Sequence, residues 1–180
     1  MRGFAEEIYR LYELSGADFI AQLKAVTYRA EFHPLENEPN IFTVGGETGE
    51  DYANLINAAQ KAVAHGYRVY ILPNPKKYRT ADFIFLRKGV YKLFELKTVT
   101  GEASVGTRLM ESIGQTNDVL LNIRSAYDPR LLAKDIQLCF EANKEAREVL
   151  IIKGNKSLSV SRHYVESKSY VKMFMKRYLR

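Results

Sequence analysis

Thr80 to Ile123, TADFIFLRKGVYKLFELKTVTGEASVGTRLMESIGQTNDVLLNI, is the stretch that decides the fold. Residues 82–87 (DFIFLR) and 90–99 (VYKLFELKTV) are β-branched or aromatic and roughly alternating, with only Lys88-Gly89 between them. That spacing predicts two strands joined as a hairpin. The apolar period then lengthens. Val105, Leu109 and Ile113 fall on one face of a helix expected over 104–117. VLLNI at 119–123 predicts a short buried strand.

Upstream, YRVYIL (67–72) predicts a third strand. Tyr52, Leu55, Ile56, Ala59 and Val63 form a helical stripe that opens at Thr48 or Glu50 and stops near Gly66. Phe4, Ile8, Leu11 and Tyr12 predict a first short helix, broken by Ser15-Gly16. A second stripe follows at Phe19, Ile20, Leu23 and Val26, with Ser15 and Asp18 as a capping pair. Between Phe32 and Gly49, two prolines and three glycines predict a long connection. Downstream, Asp128-Pro129 should cap a helix running to about Phe140. REVLIIKG and SLSVSRH should pair as a hairpin across a Gly-Asn turn. In the tail, Val171, Phe174, Met175 and Tyr178 share one face and bases occupy the other. This order predicts an α+β fold, N-terminal helices packed on a mainly antiparallel sheet, and not a βα-repeating doubly wound one. Residues 1–47 are expected as a helical extension and 48–180 as the functional domain.

The 180 residues, 46% of them hydrophobic, suit a globular domain. No apolar run approaches the ~20 residues of a membrane-spanning helix, and the acid-bearing N-terminus does not resemble a signal peptide. Cys139 is the single cysteine, which excludes an internal disulfide and a cysteine-rich zinc site. An intracellularly active protein is expected. Its charge is uneven. Residues 1–66 carry 5 basic and 10 acidic residues, net −5, whereas residues 67–180 carry 22 and 11, net +11. The basic part is therefore expected to face a polyanion, the alternative being ordinary solvating lysines and arginines.

Strand alternation puts Leu93, Glu95 and Lys97 on one face and Phe94 and Leu96 on the other. An acid and a base inside an otherwise apolar strand are costly to bury unpaired, so they either pair structurally or carry chemistry. Asp82 opens the neighbouring strand, where the hairpin could bring its carboxylate toward Glu95. Asp followed by Glu-x-Lys across a hairpin is the arrangement of metal-dependent PD-(D/E)xK nucleases. There two carboxylates hold a divalent cation such as Mg²⁺ and the lysine activates water; Ala81 stands here in place of the proline.

The serial pattern of Ala81–Phe85, Phe94–Lys97, Arg108, Gln115–Ile123 and Glu148–Gly154 resembles another family. These are the C-terminal tRNase domains of bacterial contact-dependent inhibition toxins, in the barnase/EndoU/colicin/RelE-like superfamily, with related domains in phage head-associated proteins. The resemblance covers about residues 67–163. It implies metal-independent cleavage of RNA, with tRNA favoured, and no cofactor. It also implies action in the bacterial cytoplasm after delivery on a larger secreted carrier, and an acidic immunity protein as partner.

RNA contains its own nucleophile, so a base, an acid and cations around the phosphate suffice. Lys97 and Arg108 are the expected cations, Glu95 the base, and Thr98 or Thr107 a hydrogen-bond partner, with Asp82 completing the expected catalytic centre. His163 is an acid or base candidate, or else a surface histidine beside Arg162. Lys76, Lys77, Tyr78 and Arg79 are expected to bind the nucleic acid, Tyr78 by stacking. Gln115 and Asn117 either touch a base edge or satisfy loop backbone. Two alternatives stand beside the ribonuclease: a metal-dependent DNase using Asp82, Glu95 and Lys97, and a non-catalytic nucleic-acid-binding or phage structural module.

Overall fold

The computed structural model describes residues 3–45, 49–73, 80–101, 105–112 and 116–180. The chain divides into two compact units, one of residues 1–78 and 82–93, the other of 79–81 and 94–180. This division differs from the expected split after residue 47.

The first unit holds α1 (Phe4–Tyr9), α2 (Gly16–Thr27), β1 (His33–Leu35), β2 (Glu38–Thr43), α3 (Glu50–Ala64), β3 (Arg68–Ile71) and β4 (Phe83–Arg87). It also holds the start of β5 (Val90–Val99). α1 and α2 bury Ile8, Leu23 and Val26, while Tyr12 stays exposed. Ser15 precedes α2 without making the expected side-chain cap bond. α3 ends in a Schellman turn: Gly66, at φ 87°, donates its N–H to Val63 and Tyr67 donates to Ala62. Lys88 and Gly89 both have positive φ, the two-residue hairpin turn that the sequence predicts.

The connection expected between Phe32 and Gly49 is instead partly strand. β1 pairs antiparallel with β2, and β2 pairs parallel with β3 through Ile41–Val69 and Phe42–Tyr70. The prolines are tolerated because β1 is the outermost strand and Pro39 lies outside the two-residue β2–β3 ladder. Asn37 takes the left-handed conformation between β1 and β2, at φ 61°.

The second unit continues β5 and adds α4 (Val105–Glu111), β6 (Asp118–Ile123), α5 (Pro129–Ala142), β7 (Glu148–Lys153) and β8 (Lys156–Ser161). The short α6 (Arg162–Val165) and α7 (Tyr170–Tyr178) follow. Asp128 caps α5 by accepting from the Leu131 N–H at 2.9 Å, as expected. β7 and β8 form the expected antiparallel hairpin.

β5–β6 and β6–β7, however, are parallel, with α4 and α5 as crossovers. These make two βαβ steps in the second unit, and β2–α3–β3 is a third in the first. β6 is buried at all six positions and β7 at its first five. Burial at consecutive positions marks strands covered on both faces, the habit of parallel strands. Strands adjacent in the sheet are adjacent in sequence throughout. Antiparallel steps, the Lys88-Gly89 hairpin among them, outnumber the parallel ones.

Val119, Leu121, Ile123, Val149, Ile151, Leu158 and Val160 make one side of the second unit's core. Val105 and Leu109 of α4, Leu132, Ile136 and Phe140 of α5, and Tyr170, Phe174 and Tyr178 of α7 make the other. Within the second unit, α4, α5 and α7 thus pack on one face of the sheet.

Candidate functional site

β5 carries the densest chemistry. Its parallel register sets Glu95 beside Val119, Lys97 beside Leu121 and Val99 beside Ile123. Register partners in a ladder point the same way, so Glu95 and Lys97 project from the helix-covered face among apolar neighbours. Lys97 Nζ lies 3.3 Å from Glu95 Oε1, with side-chain exposures of 12% and 8%. Water is largely excluded from both groups, which strengthens their attraction and makes removal of either partner costly. This pair can accept a proton, donate oxygen ligands, or hold a positive charge against a phosphoryl oxygen.

The other expected residues are placed separately. Thr98 falls on the opposite face of β5, in register with fully buried Asn122. Its hydroxyl is buried with no hydrogen-bond partner among the described residues. Thr107 and Arg108 are exposed on α4, and Arg108 ion-pairs with Glu111 at 3.9 Å. Asp82 belongs to the first unit; it is half-buried, and its carbonyl accepts from the Leu72 N–H at 2.9 Å.

His163 is exposed in α6, not at the end of a strand as expected. Asn117 is half-buried, and its backbone carbonyl accepts from the Arg147 N–H at 2.8 Å. Lys76, Lys77, Tyr78, Arg79 and Gln115 lie outside the described residues.

Two further buried carboxylates escaped the sequence reading. Asp118 and Glu148 sit side by side in the β6–β7 register. Arg147 lies 3.6 Å from Asp118, and the Ser159 hydroxyl donates to Glu148 at 2.7 Å. Their partners make them a structural pair that holds the ends of two parallel strands. Arg162, beside the histidine candidate, donates four hydrogen bonds to the carbonyls of Phe140, Asn143 and Ala146 at the end of α5. No spacing rule foretells such a fork, because its acceptors lie 16 to 22 residues away.

Burial pushes the Cys139 thiol and the Tyr170 phenol up from their ordinary ranges, so neither is an activated nucleophile. Tyr170 instead donates to the Ala133 carbonyl at 2.8 Å. No described helix is long and apolar enough to cross a membrane.

No family model and no curated protein matches the chain. Among solved structures it is similar to a chain of a CdiA-CT/CdiI toxin and immunity complex from Burkholderia pseudomallei. The two are 17% identical over 66% of this chain and 98% of that one, at a TM-score of 0.48.

Proposed function

We propose that the chain is a nuclease, with RNA the favoured substrate, whose chemistry is carried by Glu95 and Lys97. The observation that supports this most is the placing of that acid–base pair within an apolar strand. A pair kept only for stability could give way to apolar residues of the same volume at little cost. In this reading Glu95 accepts the 2′-hydroxyl proton as the 2′-oxygen attacks phosphorus; the bond from phosphorus to the 5′-oxygen breaks, that oxygen takes a proton from solvent, and a 2′,3′-cyclic phosphate and a 5′-hydroxyl result. Lys97 meets the charge that grows on the phosphoryl oxygens, and exposed Arg108 meets the incoming phosphate. The tRNA preference, the delivery on a carrier and the acidic immunity protein rest on motif resemblance.

The exposure of His163 favours a second reading. Without a sheltered imidazole, a carboxylate–lysine centre can reach the same hydrolysis with a divalent cation. The donor set fits: Mg²⁺ is held through one or two carboxylates plus substrate phosphates. Glu95 supplies one. The cation would polarise the phosphoryl group, while Lys97 orients the attacking water.

Purified protein incubated with total RNA and with plasmid DNA, each in EDTA and in Mg²⁺, separates these readings. RNA cleavage that persists in EDTA is the expected outcome. Cleavage of either polymer abolished by EDTA selects the cation-dependent centre. Intact substrates under all four conditions would remove the nuclease assignment.

A further inference from the structure

α7 lies on the second unit with its aromatic stripe spent: Tyr170, Phe174 and Tyr178 are all buried. Each end of the helix borders a cavity in which cations and hydroxyls stand beside apolar side chains, with no acidic side chain among the described residues that line it. At the C-terminal end, against the β7–β8 hairpin, a cavity of about 210 Å³ is lined by Lys153, Lys156, Arg177 and Arg180 with Ser157. At the N-terminal end, against α5, a cavity of about 640 Å³ is lined by Arg130, Lys168 and Lys172 with Ser167 and Ser169. Exposed Lys176 lies between them, one turn (about 6 Å) beyond Lys172.

These charges are not neutralised from within. Residues 150–180 contain eight basic residues and a single acid, Glu166, which lies 3.8 Å from Arg162. None of the seven cavity cations makes an ion pair among the described residues. Two are positioned by aromatic rings instead: Lys153 lies 4.7 Å from the Tyr178 centroid and Arg177 lies 5.2 Å from that of Tyr164. A cation–π contact fixes a cation while leaving its charge available.

We infer that this face, the two cavities and the basic side of α7, binds the phosphodiester backbone of a nucleic acid. Cations and hydroxyls lining concave surfaces are the groups that contact phosphate oxygens. A bilayer would need an apolar helix face to insert; Tyr170, Phe174 and Tyr178 of α7 are buried, and exposed Met173 and Leu179 stand among Lys172, Lys176, Arg177 and Arg180. An acidic protein would anchor on exposed aromatic or arginine side chains; Tyr164, Tyr170, Phe174 and Tyr178 are not exposed, which leaves only the charges as contacts for it. The inference stands apart from the chemistry of Glu95 and Lys97, since a protein that cuts nothing can still bind here.

The test is fluorescence anisotropy with a labelled single-stranded RNA over a salt series. It compares the full chain, the variant Lys172→Gln/Lys176→Gln/Arg180→Gln, and a control Lys24→Gln/Lys88→Gln/Lys144→Gln that removes equal charge elsewhere. All six positions are exposed, so both variants should fold; circular dichroism confirms it. At physiological salt the first variant should bind at least ten-fold more weakly. Its slope of log affinity against log salt should flatten by about 2, three lost contacts at ~0.7 each. The control should match the wild type. Equal losses in both variants, or wild-type binding by the first, would overturn the inference. So would intact RNA binding together with lost binding to phosphatidylserine vesicles or to an acidic protein.

Discussion

Glu95 and Lys97 lie two positions apart on one strand face, and strand alternation alone foretells that. Alternation says nothing about how deeply such a face is covered, and depth decides what the pair costs. Lys97→Ala should leave the Glu95 carboxylate buried without its ammonium, lowering stability by about 3–5 kcal/mol in urea unfolding and cleavage by about 10²-fold or more. Glu95→Gln/Lys97→Met should recover most of the stability and none of the cleavage; a double variant that cleaves normally removes the pair from the mechanism. Arg108→Ala offers the complementary case. Its ion pair with Glu111 is exposed, so stability should change by less than about 1 kcal/mol, while cleavage falls if the guanidinium meets substrate. His163 and Thr98 mark where residue-level reading stops. The exposure of His163 is encoded in neither residue type nor spacing, whereas alternation does turn Thr98 away from the pair, and what spacing leaves out is that its hydroxyl is buried.

Elements with local causes were legible. The Lys88-Gly89 hairpin, the Asp128-Pro129 start of α5 and the Gly66 stop of α3 each depend on the conformation of two or three consecutive residues. β1 and β2 were not, because Pro34 and Pro39 read as connection unless the strand is known to sit at a sheet edge. The parallel pairing of β5, β6 and β7 was equally hidden, since partners are chosen by contacts distant in sequence. Arg162 depends on the same kind of contact. Its fork holds the end of α5 to the start of α6, so Arg162→Ala should lower stability by about 2–4 kcal/mol through the carbonyls it abandons. Arg162→Lys should restore less than half of that, because an ammonium cannot reproduce the planar fork. Urea unfolding midpoints of the two variants provide the measurement; a fully rescued lysine variant would reduce Arg162 to a point charge.

For the whole molecule, a net charge of +6 concentrated toward the C-terminus sets how it meets a polyanion. Protein purified at low salt should carry bound nucleic acid, visible as excess absorbance at 260 nm, and should shed it in ~1 M salt, where counterion competition is strong. Material free of nucleic acid at low salt would count against polyanion binding altogether. What the sequence by itself determined is the α+β class, the order of most elements, the charge gradient and the shared face of Glu95 and Lys97. These follow from period, turn chemistry and composition, which act over a few residues. Tertiary structure alone decided that the βαβ steps are parallel, that the acid–base pair is enclosed, and that α7 buries its rings while its cations border two cavities. Those outcomes depend on which surfaces exclude water from which, and burial is a property of residues far apart in the chain and close in space.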